Sequence, residues 1–342
     1  MKSIYFIFLS FILLFSCSET NKQRSITQLP DPTFIKGDKY EQEIIASIPS
    51  QIEIIGNNIF LFRTMRLLAQ GFDKHTGNET VRLGYIGEGP GEFMSPYFAG
   101  ENKEDSTYYV SDYTYNLMRK YKWEIKQDTF SFHLLEEIKR KDQEITFYTI
   151  QRIDNGYYVA LTTSQKSQHP LVLLDNNLNV ISEFGEMFED EEMLNPRLYY
   201  GTLASYGNQI IYAPIDFDYI VSYTISDKAE IKKDWEHYFS EFSLKKENGK
   251  TKINRDKNRR GFYDVKMTGQ YIYSLYSGQP RNVQNLGEAL PQTVLIFRQD
   301  GSILKSLFID KESGRIAIDG DSILYVSYAV PDSGIAFYDI RE

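Results

Sequence analysis

Residues 154–161 read DNGYYVAL, a tight polar turn followed by an aromatic and β-branched strand, and this combination decides the fold. The combination occurs six times along the chain. Its first strand residues are Ile59, Tyr108, Tyr157, Ile210, Tyr271 and Ile323, which gives spacings of 49, 49, 53, 61 and 52 residues. A period of about fifty residues is typical of a β-propeller, in which each repeat forms one four-stranded blade.

The last repeat ends early, because residues 315–318, 322–329 and 335–340 supply only three strands before the chain stops. A three-stranded blade would leave an open sheet edge, which proteins normally protect. A spare strand near the N-terminus, at residues 41–47, is well placed to pair there. The sequence therefore predicts an all-β, six-bladed β-propeller over residues 40–342, with four antiparallel strands per blade and a ring closed by the N-terminal strand.

Residues 1–16 have the pattern of an export signal, with Lys2 followed by an apolar run at residues 4–15. Twelve residues rise roughly 18 Å as a helix, too short for a bilayer core of about 30 Å. The stretch Leu14-Phe15-Ser16-Cys17 resembles a bacterial lipobox, which implies lipidation at Cys17, with residues 17–39 as a flexible tether. Ser18 implies, by the same resemblance, anchoring in the outer membrane; both the periplasmic and the surface-facing orientation stay open. The alternative is an ordinary secretory leader whose cysteine is incidental.

The stretch at residues 83–96, LGYIGEGPGEFMSP, resembles the linker of NHL-type propeller repeats. It is also similar to the linkers of six-bladed TolB-like propeller lipoproteins of Bacteroides-type bacteria. Physically, its glycines allow positive φ and Phe93 can wedge between neighbouring blades. The stretch lacks the Lys-Ser/Thr ending of a phosphate-binding loop, so it does not indicate phosphate binding.

The composition gives little support for catalysis. The four histidines lie far apart, and no metalloprotease, serine-hydrolase or paired-cysteine motif is present. A net charge of −9 argues against nucleic acid as a partner. The single cysteine excludes an internal disulfide. We therefore assign no catalytic or metal-binding residue and expect no cofactor.

The central channel is where the inner strands of a propeller deliver polar residues. The channel-binding candidates are Glu53, Arg152, Asp264 and Lys266. Glu53 and Asp264 could join a calcium site, since calcium takes several oxygen ligands. The alternative is a set of solvated residues at a water-filled mouth.

An insertion between the fourth and fifth repeats carries a strong positive charge. Residues 245–260 hold eight basic and two acidic residues, a net charge of +6. Inserted loops on a rigid scaffold often carry binding residues. The candidates in this basic segment are Lys245, Lys246, Arg255, Arg259 and Arg260. An anionic glycan, a lipopolysaccharide phosphate or an acidic partner suits it; the alternative is a solvated loop without a ligand.

Tyrosine pairs such as Tyr199-Tyr200 raise the question of sugar stacking. Neighbouring strand residues point to opposite faces, so only one tyrosine of each pair can join a common platform. Packing between blades explains most of them.

These features lead to one main functional hypothesis. We expect a monomeric, lipid-anchored propeller of the cell envelope that acts as a non-catalytic binding or scaffold module for a protein or glycan partner. One alternative is a calcium-assisted hydrolase or lyase that uses the channel; another is a purely structural lipoprotein.

Overall fold

The computed structural model describes residues 25–40, 49–64, 66–102, 105–126, 129–140, 144–164, 166–186, 196–247, 250–282, 290–328 and 333–341. The leader, Cys17 and the predicted closing strand at 41–47 lie outside these residues. Within them the regular secondary structure is almost entirely β-strand, and none of the helical structure there has the length and apolarity needed to cross a bilayer.

Two short strands precede the first three blades. They are β1 (Pro32–Ile35) and β2 (Asp38–Lys39). Blade 1 contains β3 (Gln51–Ile55), β4 (Asn58–Thr64), β5 (Leu67–Asp73) and β6 (Glu79–Tyr85). Blade 2 contains β7 (Pro96–Asn102), β8 (Thr107–Asp112), β9 (Leu117–Lys126) and β10 (Thr129–Lys139). Blade 3 contains β11 (Phe147–Arg152), β12 (Tyr158–Thr162), β13 (Leu171–Leu174) and β14 (Val180–Phe184).

The other three blades follow a 3-10 turn, Pro196–Tyr199. Blade 4 contains β15 (Gly201–Tyr206), β16 (Gln209–Pro214), β17 (Tyr219–Ile225) and β18 (Ile231–Tyr238). A separate hairpin follows, β19 (Leu244–Glu247) and β20 (Lys250–Ile253). Blade 5 contains β21 (Phe262–Met267), β22 (Tyr271–Tyr276), β23 (Thr293–Arg298) and β24 (Ile303–Ile309). Blade 6 contains β25 (Ser313–Asp319), β26 (Ile323–Tyr328) and β27 (Gly334–Asp339).

The turn-and-strand period predicted from the sequence is confirmed. The second strand of every blade begins within one residue of its predicted position, and consecutive strands of each blade pair antiparallel. Gly156 and Gly207 occupy two of the turns with φ of 90° and 60°, which explains the need for glycine there. In five of the six pairs of neighbouring blades the first strands lie side by side around the axis; between blades 1 and 2, β7 lies against β4.

The hydrophobic core lies between the blades. Among the described residues there are six clusters of buried apolar side chains, one at each interface between neighbouring blades. Phe93, only 1% exposed, belongs to the cluster between blades 1 and 2, so the predicted wedge is confirmed. Each blade is therefore held mainly by its two neighbours.

Closure of the ring by an N-terminal strand is confirmed, but the strand lies at residues 38–39, just before the predicted position of 41–47. Asp38–Lys39 pair antiparallel with β27 and become the fourth strand of blade 6. The backbone N–H of Gly37 donates to Asp310 (2.9 Å), and the Tyr338 hydroxyl donates to the same carboxylate (2.8 Å). A Cβ at Gly37 would lie 2.5 Å from the Tyr338 ring, so only glycine fits.

The prediction of a flexible tether up to residue 39 is wrong for the part that the structure describes. Residues 32–35 pair parallel with β24 and add a fifth strand to blade 5. Ile26 forms a bridge with Tyr238, so the segment crosses the outer edges of blades 4, 5 and 6 in turn. An outer strand has unpaired backbone groups that such a segment satisfies. The sequence PTFI, with its β-branched and aromatic residues, suits a strand.

Candidate functional site

The candidate site is the central channel, which widens at one end into a cavity of roughly 400 Å³. Residues of the inner strands β3, β7, β11, β15 and β21 line this cavity. All four channel candidates predicted from the sequence, Glu53, Arg152, Asp264 and Lys266, line it as well. The structure therefore brings together residues that are more than two hundred positions apart.

Glu53 and Lys266 form a buried ion pair across the channel. The pair joins β3 of blade 1 to β21 of blade 5, and the side chains are 19% and 15% exposed. Burial raises the pKa of Glu53 to about 7, although Lys266 opposes this, and the Asp264 and Glu101 carboxylates raise it further. Burial also works to lower the pKa of Lys266, but the attraction of Glu53 and Asp264 raises it overall. The Lys266 ammonium group therefore pairs with Glu53 and is also attracted by the Asp264 carboxylate.

Asp264 is committed to the backbone of the next blade. Its Oδ2 accepts the N–H of Ile316 on β25, and its Oδ1 accepts that of Val265, both at 3.0 Å. The side chain of Gln51 does the same between blades 1 and 2. Its amide donates to the Phe98 carbonyl (2.9 Å) and accepts the Phe98 N–H (2.7 Å). These buried side chains replace the hydrogen bonds that inner strands of separate blades cannot make with each other.

Arg152 lies in the wall of the channel. Its guanidinium group is 5.0 Å from the ring centre of Tyr109 in blade 2 and 3.6 Å from the Asp154 carboxylate. Its carbonyl accepts a 2.6 Å hydrogen bond from Ser205 of blade 4. Arg152 thus links three blades.

The inner-strand carboxylates are poorly suited to the predicted calcium site. Among the described residues, no group of three histidine, cysteine or acidic side chains is arranged to hold a metal ion. Glu53 is paired with Lys266, and both Asp264 oxygens accept backbone N–H groups. A calcium ion prefers six to eight oxygen ligands, which this arrangement does not provide.

Sequence reasoning missed Arg315, which closes the ring near the axis. It donates from Nε to the Ser50 carbonyl of blade 1 (2.5 Å) and from Nη1 to the Tyr263 carbonyl of blade 5 (3.0 Å). Its position at the start of the last inner strand was the available signal, since the other channel candidates also lie on inner strands.

The opposite end of the channel is a smaller opening rich in tyrosine, which we call the tyrosine mouth. It is a pocket of roughly 60 Å³ whose lining includes Arg63, Tyr97, Tyr113, Tyr148, Thr202, Tyr263 and Arg315. Gln51, Tyr97 and Asp264 line both this pocket and the larger cavity, so they separate the two ends.

Three tyrosines from successive blades form a row at this mouth. Ring centres of Tyr113 and Tyr148 are 6.1 Å apart, and those of Tyr148 and Tyr200 are 3.9 Å apart. Tyr113 is 44% exposed. Tyr199 instead packs in the core between blades 3 and 4. Only Tyr200 of the Tyr199-Tyr200 pair therefore joins the row, but these two residues lie in and just after the 3-10 turn, so the strand alternation behind the prediction does not apply to them.

The carboxyl-terminal end of the basic segment, residues 245–260, lies beside the tyrosine mouth. Arg260 Nη1 is 3.4 Å from the Tyr263 hydroxyl, and the Gly261 N–H donates to Ile215, which also lines the mouth. Buried Asn258 bonds to the Ser243 backbone through both its amide oxygen and its amide nitrogen.

The five predicted residues of this segment differ in exposure. Lys245, Arg255 and Arg259 are exposed and Arg260 is half-buried; the Lys246 side chain lies outside what the structure describes. Arg259 donates to the Gly278 carbonyl at 2.7 Å. The segment is thus a positively charged hairpin anchored at its base.

Comparison with known proteins assigns the fold and the sequence to a protein family. The architecture is that of a six-bladed β-propeller, and the sequence matches the family described as TolB-like 6-blade propeller-like over residues 72–321. The chain belongs to this family. No curated protein matches the sequence.

Several solved structures share the fold. A member of the DUF4221 family from Bacteroides vulgatus is 13% identical, with a TM-score of 0.57 over 88% of this chain and 94% of that one. A protein of Bacteroides fragilis described as exported is 10% identical, with a TM-score of 0.53 over 90% and 99% of the two chains. A luciferin-regenerating enzyme is 8% identical, with a TM-score of 0.51 over 88% and 94%. At these identities the likeness concerns the fold alone.

Proposed function

We propose that this protein is a lipid-anchored propeller of the cell envelope that binds an acidic protein or glycan partner at the tyrosine mouth, without catalysing a reaction. Export and anchoring are supported by the leader and the lipobox-like stretch that ends in Cys17. The Bacteroides protein described as exported is consistent with that location.

One observation carries the proposal of binding. Three tyrosine rings from blades 2, 3 and 4 line up at a channel mouth that is bordered by Arg260, the last residue of the segment of net charge +6. Tyrosine supplies a large contact area at a low cost in side-chain entropy, and it is enriched at binding surfaces. The adjacent positive charge favours an anionic partner and speeds its association.

The hydrogen bonds of the channel side chains beneath the mouth favour a binding function over a catalytic one. Gln51, Asp264 and Arg315 all bond to the backbone of neighbouring blades, so they hold the mouth rigid. A catalytic acid, base or nucleophile must instead be able to reach a substrate. A rigid surface binds with a smaller entropic loss, because little needs to be ordered on association.

The test uses full-length protein purified from membranes, in pull-downs of envelope extracts and on a glycan array that includes anionic glycans. We expect a specific partner, whose retention falls at least tenfold in Tyr148→Ala and weakens steadily as the salt concentration rises. The matched control is Tyr206→Ala, an equally simple truncation of a 50% exposed tyrosine at the other end of the channel. Absence of any partner in both assays, or equal loss in the two variants, would refute the proposal.

The anchor is tested separately. We expect Cys17→Ser to move the protein from the membrane fraction to the soluble fraction, and mass spectrometry of the wild-type amino terminus to show acyl chains on the cysteine. An unmodified cysteine in a membrane-bound protein would show that the anchoring mechanism is wrong while leaving the binding proposal intact.

A further inference from the structure

A second cavity lies away from the channel, inside the interface between blades 1 and 2. Its volume is roughly 240 Å³. Its walls are made chiefly of aromatic rings, among them Phe60, Phe62, Phe93, Phe98, Tyr108 and Phe132. The same interface contains one of the six core clusters, so this part of the core borders a space that the side chains described by the structure do not fill.

A space of this size is unusual in a folded interior. Cores pack about as densely as organic crystals and leave few voids larger than a water molecule. An engineered apolar cavity of about 150 Å³ stays dry and binds benzene. The cavity between blades 1 and 2 is larger than that, so it has room for a correspondingly larger hydrocarbon.

The chemistry of the walls excludes a polar or charged occupant. Tyr108 and Tyr121 have the only polar side-chain atoms among the residues that line the cavity within the described part of the chain. A buried water needs two to four polar partners, and a buried charge needs compensation that apolar walls do not give. The walls suit an uncharged molecule that gains by leaving water.

The glycine-rich linker forms one wall and keeps it in place. Phe93 contributes its ring, and the Arg119 guanidinium lies 4.5 Å from the centre of that ring. Arg119 also donates to the carbonyls of Gly91 and Glu92, both at 3.1 Å. Gly91 lines the cavity too, and a Cβ built on it would meet nothing within 4 Å. The glycine-rich linker at residues 83–96 therefore forms a cavity wall that hydrogen bonds hold in place before any ligand arrives.

We propose that the cavity between blades 1 and 2 is a binding site for an uncharged apolar molecule, larger than benzene and built of aromatic or alkyl carbon. The site is independent of the tyrosine mouth. Binding there tightens the interface between the two blades, because the ligand supplies the contacts that the empty cavity lacks.

The first experiment is a fluorescence titration with N-phenyl-1-naphthylamine, an uncharged probe that brightens in apolar surroundings. We expect saturable binding at one site per chain in the wild-type protein. The double variant Leu68→Phe/Val110→Phe fills the cavity, so binding should weaken at least tenfold while the melting temperature stays equal or rises. The control is Leu135→Phe, on a 53% exposed residue of the same blade, which should bind the probe like the wild type.

Competition with the fluorescent probe distinguishes an aromatic ligand from an alkyl ligand. Displacement of the probe by p-xylene indicates an aromatic ligand, and displacement by decanol alone indicates an alkyl chain; either result supports the site. Lack of saturable binding by the wild type, or equal binding by the folded double variant, would overturn the proposal.

If the double variant fails to fold, crystals of the wild-type protein under xenon pressure decide the question. Xenon density in the cavity beside Phe93 and Gly91 is the expected result, and its absence would refute the site.

Discussion

The hydrogen bonds of Gln51 offer the sharpest test of how the inner strands are held. Gln51 is 5% exposed and bonds to both the N–H and the carbonyl of Phe98, at 2.7 and 2.9 Å. Gln51→Leu keeps the size of the side chain but leaves two backbone groups without partners. Each such buried group costs about 1–3 kcal/mol, so with some relief from water in the neighbouring cavity the expected loss is about 3 kcal/mol.

The loss converts into a measurable change in melting temperature. An unfolding entropy of about 2.1 cal/mol/K per residue gives a chain of 342 residues about 0.7 kcal/mol/K. A loss of about 3 kcal/mol therefore lowers the melting temperature by about 4 °C, which calorimetry and urea denaturation both resolve. The control is Gln70→Leu in the same blade, whose amide reaches only the exposed Glu79 at 3.5 Å and should change stability by less than about 0.5 kcal/mol. Equal stability of Gln51→Leu and Gln70→Leu would show that the side chain does not hold the blades together.

Three other perturbations follow from the same structure. Burial raises the pKa of Asp218 to about 6, so the contribution of this carboxyl group to stability is lost as pH rises from about 4 to 7. Asp218→Asn should therefore be about 3 kcal/mol more stable than the wild type at pH 8 and no different from it at pH 3.5. Equal pH profiles of the two proteins in urea denaturation would contradict this. Lys266→Met should destabilise the protein by about 3 kcal/mol at pH 8 and by less at pH 5, where Glu53 is protonated. The double variant Glu53→Gln/Lys266→Met should recover most of the lost stability. A double-mutant cycle without coupling would show that the two side chains do not interact. Gly37→Val places a side chain against the Tyr338 ring and should lower the melting temperature by several degrees; an unchanged melting curve would show that this contact does not close the ring.

The sequence predicts the fold well because the relevant signals are local. A turn such as Asp154-Asn155-Gly156 and the strand after it need no distant partner to be recognised, and the missing strand of the last repeat implies a partner at the other end of the chain. Pairing of residues 32–35 with β24 is different, because it depends on an exposed edge almost three hundred residues away. A short polar segment with two prolines gives no local sign of such an edge.

The candidate site could be predicted only in part. Placing Glu53 and Lys266 on inner strands puts both near the axis, but their direct pairing depends on the angles between blades. The row formed by Tyr113, Tyr148 and Tyr200 comes from a turn, a strand and a connection in three blades. No spacing in the sequence relates these three positions. The cavity between blades 1 and 2 depends on side-chain packing, which a residue pattern does not specify.

Amide hydrogen exchange on the full-length protein, with and without the partner recovered from envelope extracts, tests the proposed binding surface most directly. The account predicts slower exchange on binding at residues 113–116, 146–148 and 198–202, which surround the tyrosine mouth, and unchanged exchange at residues 204–209 at the other end of the channel. Slower exchange confined to the outer edges of the blades, with the mouth unaffected, would contradict it.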